Sequence, residues 1–526
     1  MAGNIFKFSQ LDAGRNRLLA LMVMAYAAMA VSSAHAAIEY ADITGGQVKG
    51  EVSNGLATFK GVPFAAAPVG PLRWRVPQPV VPWPGIRVAN TFAPACTQPW
   101  WEEPNPSRED CLYLNVWTAA ASSKERLPVM VWIHGGGLKG GMSWERLSYG
   151  NHLAREGVVL VTIAYRLGAF GFLAHPELTR ESGKSSGNYG LFDVIAALEW
   201  VQANIAQFGG DPTRVTIFGG SAGGFAVGLL AGAPAAKGLY ARAIAQSGSG
   251  FEPVPKNNPE RRFPPPHTLG SAEKDGRAFF KSLGVSDLKS ARRVPAAAIL
   301  RASRADERSA VGLAIIDGDL VQGFNIDLFQ RQRFNDTPIL VGFTSDEDGS
   351  PPGQASADSV QAEIGRWPCE DPRTQAAIAA AYPHATDTQA RTTIRHLYRD
   401  IEVAWPIWTW ARLETTQGHN PAYVYVFDIH DREHPFGAPH ASEYPYVFGN
   451  FPKTPTVHDA AASELMRKYW VNFATRGDPN GPGLPVWERF GEQSQAAMVF
   501  DERPVSRRLP DLEGLQALDG ILRCSR

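Results

Sequence analysis

Residues 214–224 read RVTIFGGSAGG. Arg214–Phe218 is a β-branched run that predicts a buried strand, and small residues suited to a helix follow it. Between them stands Gly219-Gly220-Ser221-Ala222-Gly223, a G-x-S-x-G pattern. In a strand–turn–helix context, the serine of this pattern must take a strained backbone conformation and project its hydroxyl outward. Glycines two before and two after keep strand and helix from colliding. Ser221 is therefore the candidate nucleophile.

The neighbouring sequence repeats the alternation of strand and helix. Leu127–Ile133 is an apolar run that enters His134-Gly135-Gly136-Gly137, and VVLVTIAY (158–165) is a second buried strand. Leu191, Val194, Leu198, Val201, Ile205 and Phe208 recur at helical spacing, and Gly209-Gly210-Asp211-Pro212 ends that helix. Ala241–Gln246, Ile339–Phe343 and Ala422–Phe427 read as later strands. Continuous β-branched runs separated by helices predict an α/β protein: a large, mostly parallel sheet covered on both faces. The more polar stretches 252–310 and 345–420 read as helical or irregular insertions.

Acyl transfer builds negative charge on a carbonyl oxygen, and fixed backbone N–H donors stabilise it by about 3 kcal/mol each. The glycine loop after Ile133 suits that task. Its Gly135-x-Gly137-x-x-Gly140 spacing also matches a dinucleotide fingerprint, but the required helix and downstream acid do not follow. Ser221 needs a base to take its proton. His419, His430, His434, His440 and His458 lie near or after the late strand. His440 stands in a loop, GAPHASE (437–443), suited to presenting an imidazole. Asp346, Glu347 and Asp348 crowd the end of another strand, and the spacing does not choose among them.

The chain has 526 residues, 51 Lys plus Arg against 52 Asp plus Glu, and a net charge of −1. That balance gives no electrostatic case for nucleic acid or an anionic membrane as partner. Lys7, Arg15 and Arg17, then an apolar stretch from Leu18 to Val31, then Ala34-His35-Ala36, follow the order of a secretory signal. The apolar stretch is shorter than the roughly 20 residues a membrane span needs. Removal of residues 1–36 is expected to leave 37–526 with a net charge of −3. In an exported protein the four cysteines suggest disulfides. Cys96 and Cys111 enclose a loop whose closure contributes about 3 kcal/mol in the chain-entropy account. Cys369 and Cys524 carry no local pairing signal. With no CxxC or HExxH, nothing implies a metal.

Long stretches of this sequence resemble the type-B carboxylesterase/lipase family, which includes cholinesterases. They run from GGQVKGEVSNGLATFKGVPF (45–64) through EDCLYLNVWT (109–118), VWIHGGG (131–137) and NYGLFDVIAALEWVQANIAQFGGDPTRVTIFGGSAGG (188–224) to HASEYPYVFG (440–449). The resemblance implies an α/β-hydrolase fold and ester hydrolysis without a cofactor. It implies Ser221 as nucleophile, Glu347 as acid, His440 as base, and Gly136, Gly137 and Ala222 as oxyanion donors. Small-molecule esters are the expected substrates, with thioester, lactone, carbamate or amide hydrolysis as the alternative. A non-catalytic cholinesterase-like binding module is the distant one. Cys96–Cys111 matches the family's first disulfide. Three departures stand out: Gly220 where a glutamate usually precedes the nucleophile, Leu138-Lys139 after the glycine loop, and Asp348 inserted into the acid motif. Length alone suggests three or four domains. Motifs of one site spread from Gly136 to His440 instead imply a single domain over 37–526.

Overall fold

The computed structural model describes residues 37–99, 107–251, 267–304, 311–347, 356–365, 369 and 371–524. The expected leader at 1–36, Asp348, and Trp100 and Trp101, which the sequence offers as plausible pocket-lining residues, lie outside them. An eleven-stranded sheet organises the chain. Its strands are β1 (Glu51–Ser53), β2 (Leu56–Pro63), β3 (Tyr113–Thr118), β4 (Leu127–Ile133), β5 (Val159–Ile163), β6 (Gly210–Gly220), β7 (Arg242–Gln246), β8 (Ile339–Thr344), β9 (Ala422–Phe427), β10 (Ala496–Phe500) and β11 (Val505–Arg508). Their spatial order is β1-β2-β3-β5-β4-β6-β7-β8-β9-β10-β11. The run from β5 to β10 is parallel. β1, β2 and β3 extend it antiparallel on one side, and β11 on the other. A separate small sheet joins Tyr40–Ile43, Gly46–Lys49 and Ile86–Val88.

Strand side chains alternate between faces, so one strand feeds two cores. Val129, Val131 and Ile133 of β4 pack with Leu191, Val194, Leu198 and Val201 of helix α1 (Tyr189–Asn204) and with Ala226 and Val227 of α2 (Ala222–Ala231). Met130 and Trp132 point the other way, into a core with Met466, Tyr469, Trp470 and Phe473 of the helix Val457–Arg476. Both faces are therefore buried, as continuous apolar runs require. The buried Arg166–Asp193 pair, with Nη2 2.7 Å and Nε 2.8 Å from the carboxylate oxygens, ties α1 to the segment after β5.

The insertions are largely helical, including Leu269–Ser282, Ala296–Arg304, Pro372–Ala381, Asp387–Arg399 and Trp405–Gln417. Trp405, Trp408 and Trp410 are buried core residues. Cys96 is bonded to Cys111, and Cys369 to Cys524. The second bond joins residues 155 apart in sequence, which is why nothing local signals it.

Candidate active site

Parallel strands deliver their following loops to one edge of the sheet, the carboxyl end, where sites of open α/β sheets form. The loops after β4, β6, β8 and β9 carry the glycine loop, Ser221, Glu347 and His440. Ser221 joins β6 directly to α2, at φ 56° and ψ −124°. A non-glycine residue held there stores about 1–3 kcal/mol of strain. The Ser221 N–H donates to the Gln246 carbonyl at the end of β7 (2.7 Å), and its own carbonyl accepts from the Phe225 N–H (2.9 Å). A Cβ on Gly219 would sit 2.5 Å from the Gly223 carbonyl carbon, and one on Gly223 only 2.0 Å from the Ile133 carbonyl oxygen. Strand, helix and the end of β4 thus meet without room for side chains, which is the physical content of G-x-S-x-G.

The glycine loop packs against this turn. A Cβ on Gly135 would lie 3.1 Å from the Ser221 Cβ. Gly136 has φ 107°, and a Cβ there would strike the Gly140 carbonyl at 2.2 Å. Its carbonyl accepts from the N–H groups of Lys139 and Gly140, both at 3.0 Å. Lys139 is half-buried. Gln98 braces the far end of the loop. It accepts from the Gly141 N–H (2.9 Å) and donates to the Gly141 carbonyl (2.8 Å) and to the Cys96 carbonyl (3.0 Å). The Cys96–Cys111 loop therefore supports the candidate oxyanion loop. His134 is sealed beneath, stacked on Tyr165 at 4.4 Å with its Nδ1 2.8 Å from the Gly135 carbonyl. Burial pushes its pKa down to about 4, so it is neutral at pH 7.

Glu347 is 7 % exposed. One carboxylate oxygen accepts from the Thr344 N–H (2.8 Å), and the other accepts from His440 Nδ1. Burial alone would raise its pKa. The His440 charge and hydrogen bond, with the Ser247 hydroxyl and the Thr344 N–H, outweigh that and hold it low. The two loops are laced together: the Asp346 N–H donates to the Ala438 carbonyl (2.9 Å) and the Ala438 N–H to the Ser345 hydroxyl (2.8 Å). Asp346 is committed elsewhere, to the buried Arg395, whose Nε is 3.1 Å away. Of the other candidate histidines, His419 pairs with Asp336, His430 with the Asp428 carbonyl and His434 with Asp431. Among the described residues no cluster suits a metal ion.

Reading motifs left several buried neighbours unassigned: Gln98, Gln246, Arg395, Glu443 and Tyr444. Gln246 and Glu443 had a visible signal, a polar residue at the end of an apolar strand and an acid three positions after the candidate base. Burial together with the Glu347 charge pushes the Glu443 pKa up to about 7.

The sequence and the fold have counterparts in known proteins. Residues 32–513 match the sequence profile described as the Carboxylesterase family. The chain is 34% identical over 488 residues to fumonisin B1 esterase of Sphingopyxis macrogoltabida, covering 86% of this chain and 85% of that protein. It is 32% identical to para-nitrobenzyl esterase of Bacillus subtilis, covering 90% and 97%. Among solved structures, a PNB esterase superposes with a TM-score of 0.78 at 30% identity over 91% of this chain and all of that one. A carboxylesterase of Geobacillus stearothermophilus superposes with a TM-score of 0.78 at 31% identity. Fold and sequence agree over nearly the whole length, and the chain belongs to the carboxylesterase family.

Proposed function

We propose that this carboxylic-ester hydrolase works through Ser221, Glu347 and His440 and passes through an acyl-enzyme. His440 takes the Ser221 proton as the serine oxygen attacks the ester carbonyl. The N–H groups of Gly136, Gly137 and Ala222 receive the developing oxyanion. Glu347 holds the imidazole in the correct tautomer and stabilises its cationic form. The alcohol leaves with the proton from His440. Water then repeats the sequence on the acyl-enzyme and releases the acid.

One observation carries this reading. Glu347 and His440, from separate loops, share a hydrogen bond at the sheet edge where the strained Ser221 turn stands. The expected substrates are small to bulky organic esters. Residues 1–36 are proposed to direct export and be removed, leaving 37–526 as a single catalytic unit in the periplasm or outside the cell. The two disulfides support an oxidising location. Among the described residues no helix is long and apolar enough to cross a membrane.

The test is a panel of p-nitrophenyl esters hydrolysed by purified wild type and Ser221→Ala. The variant should lose at least about 10⁴-fold in kcat. An unchanged rate removes Ser221 from the chemistry, and an inactive wild type favours the non-catalytic alternative.

A further inference from the structure

The candidate oxyanion loop carries a cation that the proposed mechanism does not use. Residues 136–140 form one tight turn, in which the Gly136 carbonyl accepts from the N–H groups of Lys139 and Gly140. Leu138, at φ 59°, turns its side chain into the core, and its carbonyl accepts from the Gly168 N–H at 2.7 Å. Gln98 holds the Gly141 end of the same loop. The backbone of Lys139 is therefore fixed from both sides. It bonds directly to Gly136 and follows Gly137 by two residues, and these are the residues proposed to receive the oxyanion. The Lys139 side chain is left half-buried. Among the described residues no carboxylate pairs with its ammonium.

The surroundings of Ser221 do not neutralise that charge. A Cβ on Gly220 would lie 1.9 Å from the Tyr444 hydroxyl oxygen, so a buried, uncharged phenol fills the place that a side chain just before the nucleophile would take. The acids of the neighbouring loops are committed to other partners: Glu347 to His440, Asp346 to Arg395, and Glu443 to Gln246 Nε2 at 3.1 Å. Further along the segment that carries Lys139, burial raises the Glu145 pKa and so disfavours an anion there. A half-buried ammonium has lost part of its hydration, and an anion brought to it restores that loss.

We propose that Lys139 is a specificity-determining residue that selects esters carrying a free carboxylate close to the scissile bond. This rests on the reading of Ser221 as nucleophile with the Gly136–Gly137 loop as its oxyanion site. The substrate carboxylate pairs with the Lys139 ammonium and takes no part in the bonds that form and break. The contact is the same before and during attack on the carbonyl. It therefore acts on KM and leaves kcat nearly unaltered.

The experiment compares esters matched in shape and differing in charge. Monoethyl succinate against ethyl 4-methylpentanoate places the carboxylate on the acyl half, and 3-acetoxypropionate against 3-methylbutyl acetate places it on the alcohol half. The readout is the ratio of kcat/KM, charged over uncharged, for wild type, Lys139→Met, Lys139→Arg and Lys139→Glu, with thermal melts to confirm folding. For at least one pair the ratio should fall about tenfold in Lys139→Met, through KM, and further in Lys139→Glu. Lys139→Arg keeps the charge and should stay within about threefold of wild type. The pair that responds identifies the half that bears the carboxylate. In wild type alone, the same ratio should drop as NaCl rises from about 20 to about 500 mM, a readout independent of any variant's folding. A ratio unchanged in Lys139→Met for both pairs, an equal fall in Lys139→Arg and Lys139→Met, or a wild-type ratio indifferent to salt overturns the proposal. Failure of the underlying reading is separate, because full activity of Ser221→Ala on the uncharged esters reports it.

Discussion

The acid member of the candidate triad shows how far single residues can be read. Asp346, Glu347 and Asp348 are equivalent by spacing, and only resemblance singled out Glu347. In three dimensions Glu347 receives His440 Nδ1, while Asp346 turns to Arg395. The distinction depends on which carboxylate a helix arginine captures, and Arg395 lies about fifty residues away in sequence. Glu347→Gln should lower kcat by about 10⁴-fold with little change in melting temperature, because an amide can hold the wrong imidazole tautomer. Asp346→Asn should do the reverse: breaking a buried pair costs about 3–5 kcal/mol of stability. Melts and kinetics on both variants check this, and an exchanged pattern would move the acid to Asp346. A different buried acid sets a pH dependence of stability. Glu414 is 1 % exposed, and burial followed by its neighbour Asp336 pushes its pKa up to about 9 from 4.5. The folded protein therefore keeps a proton there that the unfolded chain releases, and this group lowers stability as pH climbs from about 4.5 towards 9. Glu414→Gln should raise the melting temperature at pH 8 and leave it nearly unchanged at pH 4.5.

Among the elements, strands buried on both faces were the most legible. Leu127–Ile133 and Ala422–Phe427 begin and end where the apolar runs do, and Arg214–Phe218 lies inside the longer Gly210–Gly220. The antiparallel strands β1 to β3 and β11, and the buried parallel strand β10, are not read as strands from the sequence. β1 is wholly exposed and carries no hydrophobic signal. β2 is broken by a shift of register between Phe59 and Val62, around Gly61. Loops were legible only where glycine marks a close approach. The brace of Gln98 on Gly141 is invisible in sequence, since the two are 43 positions apart. Gln98→Ala removes three hydrogen bonds and frees the end of the candidate oxyanion loop. Its kcat should fall about tenfold, with KM changed less, because the loss is expressed in the transition state. A change confined to KM would show that the loop only binds substrate.

At the scale of the whole molecule, length pointed to several domains while the motifs pointed to one. The strands β4, β6, β8 and β9 belong to one sheet, and the single catalytic unit proposed over 37–526 would draw its residues from Gly136 to His440 along one edge of it. The Cys369–Cys524 bond adds a constraint far from that edge, tying the C-terminal helix Leu512–Cys524 back to the insertion. Closing so long a loop contributes up to about 5 kcal/mol in the chain-entropy account. Replacing both cysteines with serine should lower the melting temperature while activity at 25 °C stays near wild type. The account as a whole rests on covalent chemistry at one serine. Its most direct test is peptide mapping by mass spectrometry after reaction with a fluorophosphonate, or after rapid acid quench of a slow-turnover ester. The prediction is a single stoichiometric adduct on the peptide containing Ser221, absent from Ser221→Ala. An adduct on another residue, or ester turnover with no adduct at all, would contradict it.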